Sequence, residues 1–463
     1  MFSLDSPAFL LFVAILTILW YRTAPNRRWQ VLLAANALFC LSIDIGAFFA
    51  VLVAGAGVWF AAPRTVSDNP GRRKWLVVGL VFALLPLLVL KYSGMLVPGL
   101  RELYKPFGLS YYSLQLTGYL LDVYHGRIEP ESKFSRLLCY STFFLSMTQG
   151  PFNRYDNLMP QVDTAPLCFD SQRAVYGIQR CAWGYFKKLA IADRAAVVVN
   201  AAFANPHAFN RGQLIFAAVM YSFQLYADFS GYTDIVLGVG EILGLRLPEN
   251  FRQPFLAASV KELWARWHMS LSRWFREYVY IPLGGNRKGI FRRDVNLLVT
   301  FLVSGIWHGA NWTFLVWGGL HGLAQVAENH LPQPLRSRSR GVKRIAGIGL
   351  TFAIFVVTFT IFRADSLSSA WEYFACIASN PGHEVLSQYW VFGLTSRLDV
   401  LELLAGIAML IGVDLLHEKE IHIRARLSKS PRAARWVVYE FAIFAFLLMA
   451  RFFSSGGFLY ARF

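Results

Sequence analysis

Apolar residues in this chain come in repeated runs of about 15–20, a length suited to membrane spans, and short blocks of Lys and Arg separate them. The first run covers residues 7–21 and is followed by Arg22, Arg27 and Arg28. Runs at 30–43 and 45–62 read as two short passes hinged near Asp44 and Gly46, returning to a second basic loop with Arg64, Arg72, Arg73 and Lys74. The run WLVVGLVFALLPLLVL at 75–90 goes out again, and Pro86 kinks it without ending it, as membrane helices allow. Residues 107–123 carry Ser110, Tyr111 and Gln115 among apolar neighbours, so this helix lines the protein interior, where polar groups are not stranded in lipid. The run 135–149 stops at Gly150–Pro151 and reads as re-entrant or as a short span.

In the second half, Arg180, Lys187, Lys188, Asp193 and Arg194 interrupt the stretch 174–204. It reads as a bent helix skimming the cytoplasmic face with its basic stems snorkelling. Residues 213–244 are too long for one untilted span and contain Asp228 and Asp234, which call for a wet cavity or a partner. The segment from Arg246 to Arg293 is rich in Lys and Arg and is assigned to the cytoplasm. Runs at 294–307 and 312–327 form a hairpin or a pair of half-length helices, and the basic stretch RSRSRGVKR follows. Residues 345–362 go out, and 365–395 are external with an amphipathic piece near 368–378. Residues 399–415 come in, HIRARLSKSPRAAR is cytoplasmic, and a last span covers 436–453. Basic loops fall on one side throughout, which places both termini outside the cytoplasm. The expected fold is an all-α polytopic membrane protein of roughly eleven transmembrane helices, forming a single domain over residues 1–463.

Composition supports this picture. Of 463 residues 56% are hydrophobic and 16% charged, and the mean hydropathy is +0.41. Soluble domains carry about 25% charged residues. The net charge of +17 suggests nucleic acid, but it is dispersed between apolar runs, so the positive-inside rule accounts for it and no nucleic-acid partner is expected. The N-terminal run has basic residues after it rather than before it, which favours a retained span over a cleaved signal. Five scattered cysteines form no CxxC pair and read as small buried hydrophobes.

Candidate chemistry concentrates between Lys261 and Gly309. Residues 261–278 read as one amphipathic helix with Trp264, Trp267, His268, Leu271, Trp274, Phe275 and Tyr278 on a face. This is either an interfacial anchor or a cytoplasmic mouth in which His268 and Arg266 meet an anionic donor. IPLGGNRKG at 281–289 permits a tight turn but lacks P-loop order. His308 ends an apolar approach and has Gly305 and Gly309 close by. It is either a structural histidine at a helix end or a general base able to take a proton from a hydroxyl. Asn311 is a candidate for orienting a carbonyl or a ring nitrogen. His268, His308 and His321 have no metal-ligand spacing, GxSxG is absent, and Trp312 stands where an HxxxD motif needs its acid.

The segments WARWHMSLSRWFREYVYIPLGGNR and VSGIWHGANWTFLVWG together resemble the membrane-bound O-acyltransferase family, in its bacterial alginate O-acetyltransferase-like branch. PFGLSYYSLQLTGYLLDVYHG, QGPFNRYDNLMPQ, WGYFKKLAIADR and SFQLYADFSGYTDIVLGVG agree in order, so the resemblance spans about residues 105–325, taken as the catalytic core. It implies short and tilted helices around a funnel. It also implies His308 as the catalytic residue, His268 near the donor or the tunnel, and Asp228, Arg266, Asn311, Trp307 and Arg154 as supporting or substrate-tunnel positions. Phe152-Asn153 departs from the family pattern after Gly-Pro, and Arg154 keeps it. No tightly bound cofactor is implied. The donor is acetyl-CoA or another acyl thioester, and the acceptor is an exported polysaccharide or an extracytoplasmic acyltransferase partner, reached from a bacterial inner membrane and its lipids. In this reading His268 lies at donor entry and His308 deeper, as separate stations. A transporter and a structural scaffold of an envelope-polysaccharide complex are the rival readings.

Overall fold

The computed structural model of the protein describes residue 4 and residues 6–96, 106–331, 341–383 and 397–451. The extreme termini, most of the RSRSRGVKR loop and the rest of the external segment beyond 383 lie outside the described residues, so the expectations resting on them are left there. Among the described residues the regular structure is helical and no strand occurs.

Helices α1 (Pro7–Arg22), α2 (Arg28–Ile43), α3 (Ile45–Ala61) and α4 (Arg72–Leu96) form the first layer. The expected hinge falls at Asp44. Its backbone is extended, and its carboxylate caps α3 through Ala47 N at 3.1 Å while its other oxygen accepts from Phe107 N at 3.0 Å. Pro86 lies inside α4, which runs through it. Ile45–Thr65, Arg72–Ser93, Gly341–Arg363 and Leu398–Glu418 are long and apolar enough to cross a membrane. Leu11, Phe49, Val53, Val77 and Leu88 are about half exposed or more, an outer surface suited to lipid and not to water.

Helix α5 (Leu109–Tyr124) is largely buried, as expected of an interior-lining helix, and of the apolar run at 135–149 only α6 (Phe134–Ser141) is helical. After α6 the chain turns back as irregular backbone that is almost wholly buried as far as Asn153. Such backbone is tolerable at depth only inside protein. Ser146 Oγ donates to Pro151 O, Asn153 Nδ2 donates to Ser146 Oγ, and Ser270 Oγ accepts from Phe152 N at 2.9 Å. The turn is therefore pinned from both sides and presents Phe152 to the interior. Helix α7 (Tyr155–Thr164) follows.

Helix α8 (Ser171–Phe186) continues through a π-helical turn, Lys187–Ala192, into α9 (Asp193–Ala204). The π turn adds a residue to the register. Lys187 then reaches Asp234 and Ser230, and Lys188 reaches Asp228 at 2.9 Å and Asp193 at 2.8 Å. The snorkelling expected of these lysines does not occur: they are 4% and 1% exposed. Burial wins because each lysine meets a carboxylate, and the costly acids Asp228 and Asp234 find their partners here. Arg194 likewise pairs with Asp399 and Glu402.

Helix α10 (Arg211–Leu243) is a single element of 33 residues, roughly 50 Å long, opened by an Asn210–Gln213 capping box and closed by Gly244 at φ 80°. It packs against α8 through facing glycines. A Cβ on Gly184 would lie 2.5 Å from Gly231 O, and one on Gly177 would lie 2.5 Å from Gly238 O. Only hydrogen fits between these backbones, the arrangement by which membrane helices approach closely. Gly184→Val is expected to destabilise by about 1–3 kcal/mol or more, read as a lower melting temperature in detergent. A wild-type melting curve would refute the close-packing account.

The expected continuous helix over 261–278 is broken. Helix α11 (Val260–Arg266) ends at Trp267, His268 sits in the left-handed region at φ 44°, and α12 (Met269–Phe275) restarts before a π turn at Arg276–Tyr280. Asn250 holds the restart, its carbonyl accepting from Met269 N and its side-chain oxygen from Ser270 N and Ser270 Oγ. In one helix Trp267 and His268 would point about 100° apart. The break lets both bury fully in different aromatic clusters, which an interfacial helix would not. Helices α13 (Ile290–His308) and α14 (Trp312–His330) form the expected hairpin, with Gly305 against Phe314 O and Gly318 against Phe301 O. Helices α15 (Gly341–Arg363), α16 (Leu367–Ser379), α17 (Arg397–Glu418), α18 (Ile423–Lys429) and α19 (Arg432–Met449) complete the described chain.

Candidate active site

His308 is the last residue of α13 and is 3% exposed. Its ring lies 4.9 Å from Trp307, 5.1 Å from Trp317 and 5.4 Å from Phe362, all edge-on. His268 is 1% exposed, 4.7 Å from Phe229 and 6.2 Å from Phe152, and its centroid lies 6.5 Å from that of Trp307. The rings of both histidines therefore lie within 6.5 Å of one indole, that of Trp307. The break at His268 turns its ring to the aromatic cluster of Phe152 and Trp307, beside His308, so the two histidines stand close together where separate stations are expected.

Trp307 is the centre of this aromatic cluster. Its Nε1 donates to Ser110 O at 3.2 Å, and its ring packs on Tyr111 and Phe152, which are themselves stacked at 4.8 Å. Phe152 thus packs between Tyr111, Trp307 and His268. The left-handed backbone of His268 costs on the order of 1–3 kcal/mol. The surrounding packing and the Asn250 bonds hold it there.

The other expected residues stand further back. Asp228 pairs with Lys188, and its neighbour Phe229 is the ring that meets His268. Asp228 thereby fixes the segment of α10 that supports the cluster. Arg266 bonds Glu262 at 2.7 Å and Glu418 at 2.6 Å, tying α11 to α17. Arg154 bonds Asp122 at 3.1 Å and Glu277 at 2.9 Å. Both guanidiniums are engaged in protein contacts, so they lock elements together around the cluster. Asn311 caps α14 through Thr313 N at 3.2 Å and donates to Asp365 O at 2.7 Å, so both ends of its amide are engaged in structure. Asn311→Ala is expected to cost about 1 kcal/mol of stability and to leave transfer per folded molecule near wild type. Thermal melting beside an activity assay checks this, and lost activity at unchanged stability would return Asn311 to the chemistry.

Two residues escaped the sequence reading as members of the site. By spacing, His321 enters the sequence reading only as a candidate metal ligand. It accepts from Trp264 Nε1 at Nδ1, 3.3 Å away, so its Nε2 carries the hydrogen that faces Thr358 Oγ1 at 3.0 Å. It shares Trp317 with His308. Its position seven residues along α14 from Phe314, on the buried stripe, was the available signal. Lys91 is the second. Its Nζ donates to Ser110 Oγ at 2.9 Å, Trp307 O at 2.8 Å and His308 O at 3.2 Å. From sequence it is merely the first cation after an apolar run. Among the described residues no group of three or more His, Cys, Asp or Glu side chains is placed to hold a metal ion.

A helical, lipid-faced body enclosing two inward-turned histidines defines the class. Residues 130–363 match the model of the MBOAT, membrane-bound O-acyltransferase family, and the chain belongs to that family and is an O-acyltransferase. It lies in the alginate O-acetylase-like branch. The probable alginate O-acetylase of Pseudomonas fluorescens is 35% identical over 378 residues, covering 80% of this chain and 74% of that one. The peptidoglycan O-acetyltransferase of Helicobacter pylori is 32% identical over 349 residues, covering 67% and 66%. The teichoic acid D-alanyltransferase of Bacillus subtilis is 30% identical over 232 residues, covering 48% and 58%.

Proposed function

We propose that the protein moves an acetyl or other short acyl group from a cytoplasmic thioester, acetyl-CoA or a relative of it, across the inner membrane to a hydroxyl of an exported envelope polysaccharide. Transfer is direct or passes through a hydroxyl of an extracytoplasmic partner protein. The convergence of His308 and His268 on Trp307 carries this reading, together with relatives named for acyl transfer to alginate, peptidoglycan and teichoic acid. The topology that suits it has both termini outside the cytoplasm and roughly eleven spans, with residues 105–325 as the catalytic core.

His308 is the general base. One ring nitrogen takes the acceptor's hydroxyl proton as the oxygen attacks the thioester carbonyl carbon. The tetrahedral intermediate collapses with cleavage of the C–S bond, and the imidazolium returns its proton to the departing thiolate. An ester and a free thiol result, with no net change at the histidine. The aromatic walls exclude bulk water, which would otherwise hydrolyse the donor. His268, 1% exposed and set against Phe152 and Trp307, shapes the aromatic cluster. Labelled acetyl-CoA supplied to the cytoplasmic face of inside-out vesicles tests the reading. Alkali-labile label inside the vesicles is the expected result, and label transported without ester formation would favour a transporter.

A further inference from the structure

The last carbonyls of a helix have no partner within it. In a membrane interior that deficit is costly, and α13 ends at the residue assigned to the chemistry. The end of α4 meets it. Tyr92 Oη donates to Ile306 O at 2.8 Å, and Lys91 Nζ donates to Trp307 O at 2.8 Å and His308 O at 3.2 Å. The third proton of the ammonium goes to Ser110 Oγ at 2.9 Å, at the start of α5. Three N–H donors thus meet three oxygens from two other helices.

We propose that Lys91 is a positioning residue for acyl transfer: its ammonium clamps the C-terminal end of α13 to α4 and α5 and so sets where the His308 imidazole stands. The proposal rests on His308 being the reacting histidine. Several observations make this more than a buried ion finding partners. Lys91 is 9% exposed although it belongs to a helix apolar enough to span the membrane, a costly place for a cation. Its acceptors are carbonyl oxygens at the negative end of a helix dipole, which favours a positive charge. The oxygens it grips belong to Trp307 and His308 themselves, and Ser110, its third partner, also supplies the carbonyl that receives the Trp307 indole. Backbone and ring of Trp307 are therefore held from the same junction. A shift of about 1 Å in a reacting group can cost about 100-fold in rate.

The test compares full-length wild type, Lys91→Met, Lys91→Gln, Lys91→Arg and His308→Ala in a strain lacking the chromosomal copy. O-acyl ester is released from the envelope fraction with hydroxylamine and normalised to protein abundance, a readout independent of which donor or polymer is used. Melting in detergent is measured alongside. Lys91→Met is expected to lower ester about 100-fold at near wild-type abundance. Lys91→Arg, which keeps charge and donors, is expected to restore at least a tenth of wild-type ester. Lys91→Gln, neutral with a shorter reach, covers the case in which the Met variant does not accumulate and is expected to lose about tenfold. Wild-type ester with Met or Gln, or equal inactivity of Arg and Met in folded protein, would overturn the clamp. His308→Ala separates the two readings. If it loses ester while Lys91→Met keeps it, only the clamp fails; if it keeps ester, or wild type makes none, the catalytic reading falls and the clamp with it.

Discussion

His308→Ala protein in inside-out vesicles is expected to transfer acyl label at background, a loss of at least about 100- to 10,000-fold for removal of a general base. Protein abundance should stay near wild type. The imidazole is enclosed by Trp307, Trp317 and Phe362, so truncation to alanine leaves a cavity and removes three edge-on ring contacts. A cavity of that kind costs about 2–5 kcal/mol for a large apolar side chain, and the smaller polar ring should cost less. His308→Phe provides the control: it fills the space with another aromatic ring and has no nitrogen to accept a proton. Both variants should be inactive, and the Phe variant should melt closer to wild type. Acyl transfer by the folded Phe variant would sink the assignment of His308 as the base.

The second large effect is on stability. Lys188→Met should destabilise the protein by about 3–5 kcal/mol, the cost of breaking a buried ion pair from one side. Lys188 stands between Asp228 at 2.9 Å and Asp193 at 2.8 Å, with the first two residues 1% exposed and Asp193 7%. Without the ammonium, two carboxylates share a buried site, and one must take up a proton or draw in water. The same loss loosens α10 at Asp228, and with it Phe229, whose ring lies 4.7 Å from that of His268. Transfer should therefore fall along with the melting temperature. Adding Asp228→Asn to Lys188→Met removes one stranded charge and is expected to recover part of the stability, the coupling that a double-mutant cycle measures. A single variant that melts like wild type would mean that water replaces the lysine at no cost. An additive double variant would mean that the two side chains are not coupled.

Much of the architecture was legible because it is local. Apolar runs predicted α1 to α4, the α13–α14 hairpin and the helices at 341–363 and 397–418. Asp44 marked a hinge because it ends one helix and caps the next. Where reading failed, the reason was tertiary. Lys187 and Lys188 look like snorkelling cations from their own segment, and Asp234 and Asp228 on α10, about 40 residues on, join Asp193 in burying them. The helix expected over 261–278 has helical periodicity throughout, and bonds from Asn250 break it at His268. Asn311 precedes a run that starts at 312, a cap position open to sequence reading, and its second bond, to Asp365 O 54 residues on, comes only from the fold.

Taken alone, the order of residues determined that the chain is a membrane protein, where many of its helices lie, and which family motifs it carries. Those are properties of hydropathy and short spacing, written within a single segment. Tertiary structure alone decided that His268 and His308 lie beside one indole, and that Lys91 reaches His308 O across 217 positions of sequence. No window of periodicity contains such a meeting. It depends on how α4, α5, α12 and α13 pack, and packing is set by every helix that confines them.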